Sequence, residues 1–82
     1  MNIYVANVNF RAKEEELREV FARYGEVTSV KIMKDRETNR SRGFGFVEMP
    51  NQEQAAAAIQ AINGQEFQQR KLIVKEALPP RP

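Results

Sequence analysis

The chain has 82 residues, of which 41% are hydrophobic, a formal net charge of +2, and neither Cys nor His. This length suits one small domain with its own core, and the lack of Cys and His excludes disulfides, Cys/His metal sites and His-based catalytic triads. The small positive charge gives mild support to a polyanionic partner, and we expect no enzyme activity, no bound metal and no cofactor.

The first half of the sequence predicts a strand, a helix and a second strand. Residues 2–8 alternate apolar and other side chains, which is typical of a half-buried strand. A helix is predicted from Ala12 or Lys13 as far as Gly25, because apolar residues recur there at helical spacing. Those apolar residues are Leu17, Val20, Phe21 and Tyr24. Residues 27–34 then return to the alternation of a strand.

The second half repeats this pattern after a polar, turn-forming segment at residues 35–41. A third strand is predicted over residues 42–49 and ends at Pro50. The second helix follows over residues 51–64. Its apolar stripe consists of Ala55, Ala58, Ile59 and Ile62. A fourth strand is predicted over residues 71–77.

The predicted order of elements, β-α-β-β-α-β, restricts the fold. Each β-α-β half needs a right-handed crossover, and the hairpin places the third strand beside the second. The compact solution is an α+β, ferredoxin-like sandwich, in which a four-stranded antiparallel sheet has the order 4-1-3-2 and both helices cover one face. We expect one domain over residues 1–77, followed by a proline-rich tail at residues 78–82.

The third strand alternates glycines with phenylalanines, so its register decides what the open face of the sheet presents. If Gly43 and Gly45 face inward, they let the helices come close, and Phe44 and Phe46 point to the open face. The opposite register would expose the apolar residues that follow, at a cost of about 1.5–3 kcal/mol for each large side chain. It would also bury charged residues, so we predict that both phenylalanines face outward.

Tyr4 of the first strand has the same outward register, so three aromatic rings should gather on the face that both helices leave open. An exposed apolar patch of this kind marks a binding surface. Basic residues in outward register surround the rings; they are Arg42, Lys31, Lys71 and Lys75. Bases stack on aromatic rings and phosphates bind Lys and Arg, so the pattern favours single-stranded nucleic acid. Asn2 is a candidate for hydrogen bonds to base edges, whereas Phe10 is expected to pack beneath its own loop.

The two central strands resemble the sequence motifs of a known family. RGFGFVEM at residues 42–49 is similar to the octapeptide motif of the RNA recognition motif family, and IYVANV at residues 3–8 is similar to its hexapeptide motif. The resemblance covers essentially the whole chain up to the proline-rich tail. Both motifs lie on the predicted central strands, in the order and at the separation that the family shows.

The resemblance implies single-stranded RNA binding, as in a post-transcriptional RNA-binding protein. In the family, aromatic residues of both motifs stack on bases or pack on ribose, and the basic residue that opens the octapeptide meets phosphate. By this resemblance, those roles fall to Tyr4, Phe44, Phe46 and Arg42. The chain departs from the family at four positions and keeps every binding ring: Met49 stands where an aromatic is usual, and Gly is common at Ala6, Asn39 and Gln69. Its start at Met1 and its short tail resemble the stand-alone RNA-binding proteins of bacteria, including cyanobacteria.

Two alternatives use the same fold. A protein-interaction module would cover the rings with a peptide or a second copy of the chain, and a small enzyme such as an acyl phosphate hydrolase would share the topology. The rings with basic neighbours favour RNA, single-stranded DNA stays open as a partner, and a purely solvated role is the alternative for the lysines.

No apolar run is long enough to span a membrane, and strand-like residues begin at Ile3. We therefore expect a monomer without membrane association or signal peptide, in the cytoplasm.

Overall fold

The computed structural model describes residues 1–35, 37–38 and 41–77, without the side chains of residues 41 and 42. The elements are β1 (Asn2–Ala6), α1 (Glu14–Ala22), β2 (Ser29–Lys34), β3 (Ser41–Glu48), α2 (Gln52–Ile62), β4 (Glu66–Phe67), β5 (Arg70–Lys71) and β6 (Ile73–Ala77). Four strands form one antiparallel sheet in the order β2-β3-β1-β6, while β4 and β5 form a separate hairpin. With β6 as the predicted fourth strand, the fold class and the strand order are confirmed. The predicted tail at residues 78–82 lies outside the described residues.

Side-chain hydrogen bonds fix where both helices begin. Before α1, the backbone N–H of Lys13 donates to the Glu16 carboxylate at 2.9 Å, and the side chain of Gln68 donates to the same carboxylate at 2.8 Å. These two hydrogen bonds stabilise the ionised form, so they hold the pKa of Glu16 below its usual value. Before α2, the side-chain oxygen of Asn51 accepts from the backbone N–H of Gln54 at 3.0 Å, which caps that helix.

A single core lies between the sheet and the two helices. The inward residues of β1, Ile3 and Val5, are fully buried, and so are Leu17 and Phe21 of α1. The predicted stripe of α2 also faces this core, with two alanines and one isoleucine buried. Because both helices pack on this face, the other face of the sheet has no covering layer among the described residues.

Gly45 faces inward as predicted, but the expectation that it admits a helix is wrong. A side chain built on Gly45 would overlap the carbonyl oxygen of Lys31 and would lie 3.0 Å from the Cα atom of Ile32. Both groups belong to the backbone of β2, which shifts its register against β3 directly after Ile32. The missing side chain therefore allows β2 to approach β3 at an irregular point of the ladder.

Gly43 is also buried, and its neighbour is a loop rather than a helix. Its φ angle is 80°, in the left-handed region that favours glycine. A Cβ atom built there would lie 3.3 Å from the ring of Phe10 and 3.4 Å from the carbonyl oxygen of Val8. The loop after β1 therefore packs closely against the start of β3.

The hairpin of β4 and β5 was not predicted from the sequence. Its two turn residues, Gln68 and Gln69, have φ angles of 49° and 70°. Side chains of the loop after β1 hold it in place: Asn9 donates to the carbonyl oxygen of Gln68 at 2.9 Å, and Asn7 donates to that of Lys71 at 2.7 Å. The hairpin is thus fixed at the end of the sheet where β1 finishes.

Candidate nucleic-acid interface

Three aromatic rings form a cluster on the open face of the sheet, as the alternation of β1 and β3 predicts. The ring centroids of Tyr4 and Phe46 are 5.7 Å apart, those of Tyr4 and Phe44 are 6.0 Å apart, and those of the two phenylalanines are 6.4 Å apart. Phe46 is 38% exposed, and the other two rings are partly exposed. We call these three residues the aromatic platform.

The register of the central strands brings the rings together. Tyr4 lies directly opposite Phe46, and Phe44 lies opposite Ala6, whose small side chain leaves room beside it. The inward neighbours on β1 are fully buried, so a shift by one residue would expose core side chains. The position of the platform is therefore determined by the same pattern that builds the core.

Two predicted cations flank the platform on the outer strands. Lys75 of β6 lies opposite Tyr4, with its ammonium nitrogen 5.4 Å from the centroid of the tyrosine ring. Lys31 of β2 lies opposite Phe46, and both lysines are exposed. Each lysine can meet a phosphate while a base contacts the adjacent ring.

The other predicted site residues do not flank the platform rings in the described structure. The side chain of Arg42 lies outside the described part of the structure. Asn2 is exposed and shares the outward register of Tyr4, at the far end of β1. Lys71 was predicted on the fourth strand, and this placement is wrong: it belongs to β5 of the small hairpin, because β6 begins only at Ile73.

Sequence reasoning missed two residues next to the platform. Phe10 was expected beneath its loop, but it is 59% exposed, and the guanidinium carbon of Arg70 lies 5.3 Å from its ring centroid. Arg70 was not identified as a site residue, because the hairpin that holds it was not predicted. The apolar character of Phe10 alone could not show whether its ring is covered.

Two absences apply to the described residues. Within residues 1–35, 37–38 and 41–77, no cluster of His, Cys, Asp or Glu side chains is arranged to hold a metal ion. In the same part of the chain, no helix is long and apolar enough to cross a membrane.

The sequence profile of the RNA recognition motif matches residues 3–73. The chain belongs to the RNA recognition motif family. This membership agrees with the two motifs on the central strands and with the sheet order. It confirms the family that the sequence motifs indicate.

Similar proteins share both the sequence and the fold of this RNA recognition motif. RbpD of Nostoc sp. strain PCC 7120, which is assigned as an RNA-binding protein, is 51% identical over 96% of this chain and 84% of its own length. RNA Binding Protein PG1, which has a crystal structure, is 56% identical in sequence to this chain. Its structure has a TM-score of 0.94 over 100% of this chain and 99% of that chain. The Rna15 RRM with bound RNA (GU) is 28% identical, with a TM-score of 0.83 over 93% of this chain and 81% of that chain.

Proposed function

We propose that this protein binds single-stranded RNA on the aromatic platform. The observation that carries the proposal is the cluster of three rings, with centroids 5.7–6.4 Å apart, on a sheet face that neither helix covers. Three aromatic rings in water are costly unless a partner covers them, and nucleobases are flat partners of suitable size. A sheet of this kind accommodates two or three stacked bases.

The tilt of the rings favours a single strand over a duplex. The planes of Tyr4 and Phe44 are inclined by 39°, and those of the two phenylalanines are nearly perpendicular, at 88°. Bases stacked on these rings could not stay parallel to one another, as they are in a duplex. A single strand can turn each base separately, so it fits the platform.

Named relatives support RNA as the partner. A structure of the Rna15 RRM contains bound RNA (GU), and RbpD is assigned as an RNA-binding protein. Both are similar to this chain over most of its length. We extend RNA binding to this protein because its own motifs carry the three rings on the corresponding central strands.

Residues around the platform supply the remaining contacts. Lys31 and Lys75 meet phosphates beside the rings, Arg42 and Lys71 are further phosphate contacts, and Asn2 offers hydrogen bonds to a base edge. The protein acts as a monomer in the cytoplasm, in post-transcriptional control, and it binds rather than catalyses. Single-stranded DNA is the competitor to test, since the rings accept bases of either nucleic acid.

Removing the platform rings should harm RNA binding far more than folding. Each stacked base contributes about 1–3 kcal/mol, so Phe44→Ala or Phe46→Ala should weaken binding roughly 5- to 150-fold, and the double variant should bind at background level. Fluorescence anisotropy with a pool of randomised single-stranded RNA measures the affinity. Thermal unfolding of the same samples measures stability.

Phe21→Ala is the control, because Phe21 is fully buried. Truncation of a buried Phe costs about 3–5 kcal/mol, so this variant should lose stability where the platform variants keep it. If Phe44→Ala and Phe46→Ala unfold the domain as Phe21→Ala does, the rings belong to the core and the proposal fails. If the wild-type protein does not bind RNA, the proposal also fails, and the protein-interaction alternative is favoured.

A further inference from the structure

Phe10 and Arg70 form a second aromatic and cationic pair, just beyond the end of the sheet. Phe10 is 59% exposed, which is more than the 38% exposure of Phe46 on the platform. The guanidinium carbon of Arg70 is 5.3 Å from the centroid of the Phe10 ring, within the range of a cation–π contact. A single exposed Phe is ordinary on a protein surface. An exposed Phe paired with a cation next to a nucleic-acid platform repeats the chemistry of that platform.

Hydrogen bonds hold Arg70 in place. Its Nη1 atom donates to the side-chain oxygen of Asn7 at 3.1 Å, and the side-chain nitrogen of Asn7 donates to the carbonyl oxygen of Lys71 at 2.7 Å. Asn7 has a φ angle of 58°, a left-handed conformation that Asn tolerates better than most residues. Because a guanidinium has five N–H donors, Arg70 can bind Asn7 and still donate to a phosphate.

An open cavity connects this pair to the platform. Its volume is about 270 Å³, and its lining includes Phe10 and Arg70 together with Tyr4 and Phe44. This is slightly below the range of about 300–1,000 Å³ that is usual for ligand pockets, which suits one flat base rather than a larger ligand. The same cavity thus touches Phe10 and two rings of the platform, so it offers a nucleotide beside the platform a place against Phe10.

We propose that Phe10 and Arg70 form an additional nucleotide subsite, which takes one further base of the same single strand. The base contacts the ring of Phe10 inside the cavity, and the guanidinium of Arg70 meets the phosphate of that nucleotide. This subsite rests on the proposed function of the platform, but its residues lie on the loop after β1 and on the hairpin rather than on the sheet. It assigns a binding role to the hairpin of β4 and β5.

The test compares a trinucleotide with a pentanucleotide, both of randomised sequence, because the platform alone holds two or three bases. Wild-type protein should bind the pentanucleotide more tightly. Phe10→Ala and Phe10→Leu should weaken pentanucleotide binding by roughly 5- to 150-fold, the effect of one lost stacked base, and leave trinucleotide binding unchanged. Phe10→Leu keeps an apolar side chain, so it separates loss of stacking from any loss of loop structure.

Salt dependence separates the roles of the two residues. Arg70→Gln should reduce the log–log salt slope for the pentanucleotide by about 0.7, the value for one phosphate contact on a single strand, whereas Phe10→Ala should leave the slope unchanged. Arg23→Gln, at the end of α1, is the charge-matched control and should change neither quantity. Thermal unfolding of each variant checks that the hairpin and the domain remain folded.

The outcomes distinguish this subsite from the platform. If wild-type protein binds both oligonucleotides and both Phe10 variants bind the pentanucleotide as tightly as the wild type does, the subsite proposal is wrong and the platform proposal stands. If wild-type protein binds neither oligonucleotide, the proposed function fails, and the subsite fails with it. A Phe10 variant that weakens the trinucleotide as much as the pentanucleotide would also overturn the subsite, because it would place Phe10 within the platform.

Discussion

Alternation of glycine and phenylalanine along β3 serves two contacts at once. Phe44 and Phe46 supply two of the three rings on the open face, while Gly45 lets the backbone of the neighbouring strand β2 approach closely. The register of β2 against β3 places Lys31 opposite Phe46. A side chain at Gly45 would press on the backbone of Lys31 and would therefore disturb the position of a cation on the proposed interface.

We expect Gly45→Ala to destabilise the domain more than Gly64→Ala. The added methyl group at Gly45 would overlap the backbone of β2, and overpacking of this kind costs about 1–3 kcal/mol or more. Gly64 has a φ angle of 84°, but a Cβ atom built on it meets no atom within 4 Å, so Ala there meets backbone strain without a clash. Urea unfolding of both variants measures the two free energies. A Gly45→Ala variant as stable as the wild type would show that β2 can withdraw without cost.

At the scale of elements, the sequence predicts the long periodic segments and fails on the short hairpin. Both helices and all four strands of the main sheet show periodicity over at least five residues, and the register of β3 follows from burial. The hairpin strands contain two residues each, which is too short for a period to appear. Its turn places Gln68 and Gln69 at positive φ, where Asn-Gly is the usual signal. Lys71 was misplaced and Arg70 was missed for this reason.

Gln69→Gly should stabilise the domain, because Gln69 has a φ angle of 70°. A left-handed conformation costs about 1–2 kcal/mol for a residue with a Cβ atom, and glycine avoids this cost. Glycine also loses more conformational entropy on folding, which offsets about 0.5–1 kcal/mol of the gain. At the middle of these ranges the net gain is about 0.75 kcal/mol, which should raise the melting temperature by about 3–6 °C. Gln65→Gly is the matched control and should lower it, since Gln65 is outside the left-handed region. Equal shifts in the two variants would contradict the strain at Gln69.

The whole molecule separates its two tasks between the two faces of one sheet. The inner face and the helices hold the core, and the outer face carries the aromatic platform, so the rings can change with little effect on packing. This separation is why the sequence could predict the three rings of the platform: the core pattern fixes the register, and the register fixes the open face. The subsite at Phe10 could not be predicted in this way, since loops and the hairpin position it without a periodic pattern.

The charge of the whole chain limits how strongly salt should affect RNA binding. The net charge is only +2, so long-range attraction is weak and local phosphate contacts should dominate. If about three phosphates are met on the platform, the log of the binding constant should fall with the log of the salt concentration with a slope near −2, at roughly −0.7 for each contact. Lys31→Gln and Lys75→Gln should each make the slope shallower by about 0.7, whereas Arg23→Gln on the helix side should not. Anisotropy titrations of single-stranded and blunt duplex RNA over a salt series provide the measurement. A slope steeper than about −5, or duplex binding as tight as single-strand binding, would contradict this prediction. Either result would mean that the protein binds mainly the charged phosphate backbone of RNA rather than bases on the platform.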